Sequence, residues 1–235
     1  MRRFFAIALS VVLWPSLLCA QTIGDADAIP PAEPSTLPYG LFVSPTISTL
    51  GLGIEGGMRV NETFGFRLGG NWLGFEVDDV ENDFDYEADA TVASLGALVD
   101  YFPFRGGFRV SGGLRLNFNG GDLTGTARDD IEVGDVEFAP GEIGTIEGDV
   151  SYDLLAPYLG IGYGATLLEG AFSIGFDLGV MYHGQADIEL DSEGGSLSGS
   201  AVLNENLAIE EDRAEDDLKN FFLYPVIGLA ANYRF

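Results

Sequence analysis

The sequence predicts an all-β protein, an eight-stranded antiparallel transmembrane β-barrel with short periplasmic turns and three long acidic outer loops. In the closing segment, 221–235, apolar residues alternate with small or polar ones, and a period of two is that of a β-strand. An apolar outer face with aromatic residues at its ends is typical of outer-membrane barrels. The chain is also 46% hydrophobic, yet no later segment is apolar for long enough to form a transmembrane helix.

The N-terminus has the pattern of a secretory signal peptide. Arg2 and Arg3 precede the apolar run 4–18, which is short and lies at the start of the chain. The signal is predicted to span 1–20, with cleavage after Ala20 or at a later small residue. The protein is therefore expected to be exported.

The segment that follows is proline-rich and acidic. Residues 21–38 show no periodicity, which predicts a flexible periplasmic lead before a barrel at 39–235. Removal of the signal takes away Cys19, the single cysteine of the chain. No disulfide and no cysteine-ligated metal are expected.

The first four strands are predicted from alternation along the chain. Their ranges are 39–47, 51–60, 64–77 and 91–102. In the second strand Glu55 and Arg59 take inward positions between apolar residues. The third strand changes its apolar parity near Leu73, which predicts a β-bulge.

The last four strands alternate more regularly. Their ranges are 108–118, 154–166, 172–182 and 221–235. Three prolines, Pro45, Pro157 and Pro225, fall on paired strands. Local bulges are predicted at these positions, because proline cannot donate to a strand ladder.

The links between strands alternate in length, as barrels with short periplasmic turns and long outer loops require. The short links are 61–63, 103–106 and 167–170, and the long ones are 79–89, 120–153 and 184–219. Only the first outer link, 48–50, is short. An even strand number leaves both ends of the barrel on the periplasmic side.

Acidic residues are concentrated in the long loops. The chain has 37 acidic and 11 basic residues, a net charge of −26, and 28 of the acids lie in 78–89, 120–153 and 184–219. The candidate residues of these loops are Asp78, Asp79, Asp83, Asp85, Asp129, Asp130, Glu210, Glu211, Asp216 and Asp217. Such a field would concentrate cations or gather divalent metals. The alternative is a salt-adapted proteome, which a single lysine in the chain also favours.

A second set of charges takes inward positions on the strands. Its members are Glu55, Arg59, Arg67, Asp100, Arg109, Arg115, Asp177 and Arg234. Eight strands leave little room in the lumen, so the structural interpretation, in which buried charges pair, is favoured. The alternative is a charged selectivity path.

Two further features concern the outer end and catalysis. A short outer helix packed within its loop is predicted from the helical spacing of Leu203, Leu207, Ala214 and Leu218. His183 is the single histidine, and Asp177 and Ser173 share its face. Alternate residues of a strand lie ~7 Å apart, which is too far for the direct hydrogen bonds that link the nucleophile, histidine and acid of a catalytic triad. No enzyme activity, cofactor or metal site is therefore expected.

At APYLGIGYG (156–164) and FDLGVMYHG (176–184) the chain resembles the CarO type of outer-membrane barrel, known as ornithine-uptake porins. The link 49–53 and the segment FRLGGNW (66–72) are also similar. Ending on an aromatic strand, with Tyr233 and Phe235, resembles the insertion signal of such barrels. The resemblance implies an outer-membrane barrel that takes up basic amino acids such as ornithine.

Function is therefore expected to be porin-like uptake of small cationic solutes. The alternative is a structural or surface-interaction barrel whose acidic loops bind cations or partners. Expected partners are outer-membrane lipid and lipopolysaccharide, the barrel-assembly machinery, and cationic small molecules or divalent cations. Nucleic acid is not expected, and the predicted location is the bacterial outer membrane.

Overall fold

The computed structural model describes residues 40–81, 84–167 and 171–235. Eight of its strands form a closed antiparallel barrel, in the order β1, β2, β3, β4, β5, β10, β11, β13 and back to β1. These strands are β1 (Gly40–Ser48), β2 (Gly51–Arg59), β3 (Phe64–Glu81), β4 (Phe84–Tyr101), β5 (Phe108–Asn117), β10 (Leu155–Leu167), β11 (Phe172–Tyr182) and β13 (Leu223–Arg234). The predicted eight-stranded barrel is confirmed. The predicted signal and lead lie outside the described residues.

The outside of the barrel is apolar on every strand. Large exposed side chains include Leu41, Leu52, Phe66, Leu95, Leu114, Leu159, Phe176 and Leu229. An exposed apolar belt of this extent marks a surface that another apolar phase covers, and its alternation with inward polar residues is that of a membrane barrel. In the described residues, no helix is long and apolar enough to cross a membrane.

The third and fourth strands are longer than predicted, and the predicted bulge is wrong. β3 and β4 pair without interruption from Phe64↔Tyr101 to Glu81↔Phe84. At Leu73 the strand leaves the barrel while its register continues. The inward face of β3 borders the polar lumen inside the barrel and an apolar core in the cap. The apolar residues therefore change from the outward to the inward positions of the strand at this point.

The three barrel prolines lie where a ladder is interrupted or has ended, so bulges are not needed. The β1–β13 pairing skips Pro45, and Ser44 beside it bonds to Asn232 through its side chain instead. The β10–β11 pairing begins one residue after Pro157. Pro225 lies beyond the end of the β1–β13 pairing at Ser48↔Gly228. The strand pairings as formed therefore use no N–H from these three positions.

The long links are folded. Their elements are β6 (Gly120–Ala127), β7 (Ile131–Val133), β8 (Val136–Phe138), α1 (Pro140–Ile143), β9 (Gly144–Ser151), β12 (Asp187–Gly194) and α2 (Ala201–Leu218). Together with the ends of β3 and β4 beyond the barrel, 74–81 and 84–91, these elements are called the cap. The predicted helix is confirmed as α2, and the predicted loop at 79–89 is wrong, because most of it extends β3 and β4.

The cap is built on a second sheet with its own core. Its strands run in the order β12, β9, β6, β4, β3, and this five-stranded layer is called the outer sheet. One face packs against α2 around Ile146, Ile188, Leu190, Leu203 and Leu207, all buried. The cap is therefore stabilised by the burial of its own apolar core.

Candidate functional site

The middle of the lumen is filled by ion pairs, called the ion-pair cluster. Its members are Glu55, Arg67, Asp100, Arg109, Arg115 and Asp177. Arg67 lies at its centre, with Nη1 3.1 Å from Glu55 Oε2, Nε 2.8 Å from Asp100 Oδ2 and Nη2 3.3 Å from Asp177 Oδ1. Three guanidinium groups meet three carboxylates, so the cluster is neutral as a whole.

The remaining members are tied to the same network. Arg109 Nη2 lies 2.6 Å from Asp177 Oδ2. Arg115 donates to Ser94 at 3.1 Å, and its guanidinium lies 5.3 Å from the ring centre of Tyr158. Buried charges need such partners, because an isolated ion in a low-dielectric interior is very costly.

The end of the barrel where β1 starts and β13 ends is called the terminal end, and Arg59 closes it. Arg59 donates to the backbone oxygens of Glu62 at 2.8 Å and Arg105 at 3.2 Å, and its guanidinium lies 3.9 Å from the ring centre of Phe102. Two turns are thereby tied together across the opening. Arg234 faces the same end and is half-buried.

Toward the cap the lumen is closed by apolar residues, called the plug. Its members are Leu50, Val92, Leu98, Ala156, Tyr158, Met181 and Val226. Leu50 comes from the short β1–β2 turn and is fully buried. The turn is held by Thr49, whose Oγ1 donates to the Pro225 oxygen at 2.8 Å and whose oxygen accepts from the Tyr224 hydroxyl at 2.6 Å.

A small cavity lies between the plug and the ion-pair cluster. Its volume is about 30 Å³, and Glu55, Arg67, Arg115, Tyr158 and Asp177 are among its lining residues. A cavity of this size is large enough to hold water. Within the described residues, the plug and the ion-pair cluster both border it.

His183 lies where the plug meets the cap. Its ring centre is 4.4 Å from that of Tyr152 and 6.0 Å from that of Tyr224. Tyr152 packs against the cap core, whereas Tyr224 packs against the plug. Burial lowers the pKa of His183, although a hydrogen bond to the Phe221 backbone and the charge of Asp153 partly oppose the shift.

The exposed face of the outer sheet is acidic. Five carboxylates lie opposite one another in a single row across its five strands, namely Glu76, Asp89, Asp122, Asp149 and Glu189. A neighbouring row contains Glu87, Glu147 and Asp191. These rows are called the acid rows, and all eight side chains are exposed.

The acid rows repel one another. Adjacent strands lie about 4.8 Å apart, and like charges directly opposite are destabilising. The pKa of Asp149 is raised, first by partial burial and then by the charge of Asp122 and a hydrogen bond with it. In the described part of the outer sheet no lysine or arginine lies on this face. On the described part of this face the rows therefore form a field of a single sign.

Other cap acids have structural partners. Leu190 N–H donates to Glu211 Oε1 at 2.7 Å, and Ile188 N–H donates to Glu215 Oε1 at 3.3 Å. These glutamates of α2 thus accept from two backbone N–H groups at the outer edge of β12. Glu210 accepts from Gly134 N–H at 3.1 Å and secures the β7–β8 turn.

The remaining loop acids predicted from the sequence are not brought together. Asp129 and Asp130 lie exposed before β7, Asp217 is exposed on α2, and Asp216 bonds to Lys219 at 3.2 Å. Asp83 lies outside the described residues, and the same holds for the side chains of the acids at 78, 79 and 85. In the described ranges, no three acidic or histidine side chains converge closely enough to hold a metal ion.

The predicted insertion signal lies at the terminal end. The Tyr233 ring centre is 5.0 Å from that of Phe172 and 5.1 Å from that of Phe235. Phe235 N–H also donates to the Leu41 oxygen at 3.1 Å. These contacts place the aromatic residues on the outward rim of the closing strand pair.

Sequence reasoning missed the acid rows, although a signal was present. In DIELDSE (187–193) the acids at 187, 189, 191 and 193 alternate with Ile188, Leu190 and Ser192. This is the pattern of a strand with one solvated face. Assigning the whole link to a loop concealed it.

Solved structures with the same architecture are known. The chain is similar to Acinetobacter baumannii CarO2, with a TM-score of 0.55 and 20% identity over 84% of this chain and 99% of that one. It is also similar to Acinetobacter baumannii CarO, with a TM-score of 0.54 and 22% identity over 86% of this chain and all of that one (100%). No protein family and no curated protein matches the sequence. The resemblance predicted from the two glycine-rich strand segments is confirmed for the fold: the chain has the fold of the CarO outer-membrane barrels.

Proposed function

We propose that this chain is a closed outer-membrane barrel that displays the cap at the cell surface, where the acid rows bind cationic partners. The observation that carries the proposal is the row from Glu76 to Glu189, which has one carboxylate on each of five strands. No basic residue lies on the described part of this face. A surface field of one sign raises the local concentration of the opposite charge. Like-charge repulsion within the rows is relieved when a cation arrives.

The filled lumen supports a surface function. A solute would have to displace both the plug and the ion-pair cluster, and separating Arg67 from its carboxylates would leave buried charges unpaired. Nothing comparable opposes binding to the cap, because the acid rows already face solvent.

The expected surroundings follow from the charges. The apolar belt would lie in the outer-membrane lipid, with the cap next to the headgroups of lipopolysaccharide. Divalent cations would bridge its phosphates to the acid rows, and Tyr233 and Phe235 would present the closing strand to the barrel-assembly machinery. A strongly negative surface repels nucleic acid.

Calorimetric titration of the full-length refolded protein tests the proposal, with spermine and calcium as probes. We expect binding that weakens as salt rises and is lost in the triple variant Asp122→Asn, Asp149→Asn, Glu189→Gln. The matched control carries the same charge change away from the rows, in Asp129→Asn, Asp130→Asn, Asp217→Asn. Equal binding by both triple variants would contradict the proposal.

The second candidate is porin-like uptake of small cationic solutes such as ornithine. The observation that favours it is the cavity in the lumen, where Glu55 and Asp177 lie beside the plug. A conformer with the Leu50 turn withdrawn would connect this cavity to the cap side. Carboxylates in the path would then favour cationic solutes.

Flux of labelled ornithine, glutamate and glucose into liposomes carrying the refolded protein distinguishes the two candidates. The surface function predicts no entry above that of empty liposomes. Selective entry of ornithine that decreases as salt rises would contradict the surface function and support uptake. In that case the variant Leu50→Gly should increase the ornithine flux. The variant Val202→Gly, at an exposed position on α2, controls for a general loosening of the cap.

A further inference from the structure

The outer sheet has two edges, and among the described residues hydrogen-bond partners are found for only one of them. At β12 the backbone N–H groups of Ile188 and Leu190 donate to glutamates of α2. At the other edge β3 is paired with β2 as far as Trp72↔Leu52. Beyond it, no described strand pairs with the open side of Gly74 to Glu81. This segment is called the free edge.

The direction of the backbone groups at the free edge follows from the barrel. The Phe64 oxygen accepts from Val60 N–H at 3.0 Å, so Phe64 points toward β2. Backbone groups of successive residues in a strand point to opposite neighbours, and β3 has an unbroken register. Every second residue from Gly74, including Glu76 and Val80, therefore directs its N–H and C=O to the free edge. Such unpaired groups are a template for another strand.

The acid rows end at the same edge. Glu76 is both an edge residue and the last carboxylate of the five-membered row. A strand added beside it would place every second side chain on the acidic face. Lysine or arginine at those positions would meet Glu76 directly and extend toward Asp89. The edge thus supplies backbone hydrogen bonds, and the rows select the charge of the occupant.

We propose that an extended cationic peptide adds to the free edge as a sixth strand of the outer sheet, with lysine or arginine at every second position. This rests on the proposed function, because it names the partner and the binding mode of the same acidic face. Strand addition of this kind obtains affinity from main-chain bonds and specificity from alternate side chains. A second copy of this chain fits less well, because it would bring a second Glu76 row against the first.

The test uses the full-length protein refolded in detergent and a labelled peptide of about eight residues that alternates lysine with valine. Fluorescence anisotropy measures the Kd at low and high salt. We expect binding that weakens with salt, and no binding of the matched peptide with glutamate in place of lysine. A lysine peptide N-methylated at every amide keeps its charge but cannot pair as a strand. We expect its Kd to be about tenfold higher or more.

A pair of variants at one position tests the edge from the protein side. Val80→Pro removes an N–H directed to the free edge and leaves the β4 ladder intact, whereas Val80→Ala keeps that N–H. We expect the Kd to rise about tenfold in the first variant and to stay unchanged in the second.

Three results would overturn the inference. If the N-methylated peptide and the Val80→Pro variant give unchanged Kd values, the peptide is held by charge alone, and the proposed function stands without strand addition. If the lysine peptide does not bind although spermine does, strand addition fails and the proposed function stands, whereas both proposals fail if neither binds. If the protein alone forms a dimer that Val80→Pro abolishes, the occupant of the edge is a second copy.

Discussion

The barrel and the cap share β3 and β4 but bury opposite kinds of side chains. Inside the barrel these strands direct Arg67 and Asp100 to the centre and apolar residues such as Leu95 outward. In the cap the same inward face carries Ala88 and Ala90, and the outward face carries Glu76 and Asp89. Each arrangement suits its surroundings, because the membrane requires an apolar exterior and water does not. One continuous strand pair thus crosses from lipid to water without changing its register.

The largest effect is expected in the barrel interior. Arg67→Ala would leave Glu55, Asp100 and Asp177 without their central partner, which costs about 3–5 kcal/mol of unfolding free energy. Urea unfolding of the refolded protein measures it. The control is Arg105→Ala, whose pair with Glu62 is exposed and contributes less than about 1 kcal/mol. Equal losses in both variants would contradict a structural role for the ion-pair cluster.

A core substitution in the cap should separate the two regions. Leu207→Ala removes a buried side chain of the cap core and should cost about 2–5 kcal/mol of cap stability. Faster proteolysis within the cap, with unchanged unfolding of the barrel, is the expected result. Val202→Ala, exposed on the same helix, should have little effect. If Leu207→Ala lowers barrel stability by the same amount, the cap and the barrel unfold as one unit.

Acidification should weaken the junction between the two regions. The pKa of His183 is lowered in the fold by burial, so the unfolded chain takes up the proton first as pH falls. The stability contributed by neutral His183 is complete above about pH 6.5 and is lost as pH falls through the folded-state pKa. The groups facing it are Tyr152, Asp153 and Tyr224.

Proteolysis of the cap between pH 8 and pH 5 measures this effect. We expect the wild-type cap to become more susceptible below about pH 6.5, and His183→Phe to remove most of that change. The His183→Phe variant keeps every carboxylate, so the comparison separates the histidine from their titration. The same pH dependence in both proteins would exclude the histidine as its cause.

The smallest effect concerns the acid rows. Asp149→Asn removes one charge from between Asp122 and Glu189 and should stabilise the cap by about 0.5 kcal/mol or less, because the site is exposed to solvent. Thermal unfolding of the cap at low salt measures the gain, which should vanish at high salt. Asp217→Asn, outside the rows, serves as the control. A loss of stability in Asp149→Asn would contradict repulsion within the rows.

The barrel could be predicted from the alternation of side chains along the chain. Strict alternation in segments such as 172–182 and 221–235 specified the strands, and the alternation of short and long links specified their order. Residues that point inward could be read from parity alone, because a strand has only two faces. The inward charges Arg67, Arg109 and Asp177 were found in this way, although their common centre was not.

The cap, in contrast, depends on strand pairing between distant parts of the chain. Its outer sheet pairs β4 with β6, β6 with β9 and β9 with β12, and strand partners across such distances leave no local signal. The position of the acid rows depends on that pairing, since Asp122 and Asp149 become neighbours only when β6 meets β9. The role of Leu50 also depends on distant residues. Its turn has the sequence of an ordinary link, but it closes the lumen because Thr49 is hydrogen-bonded to β13. Periodicity specifies which face a residue takes, and long-range packing decides what that face meets.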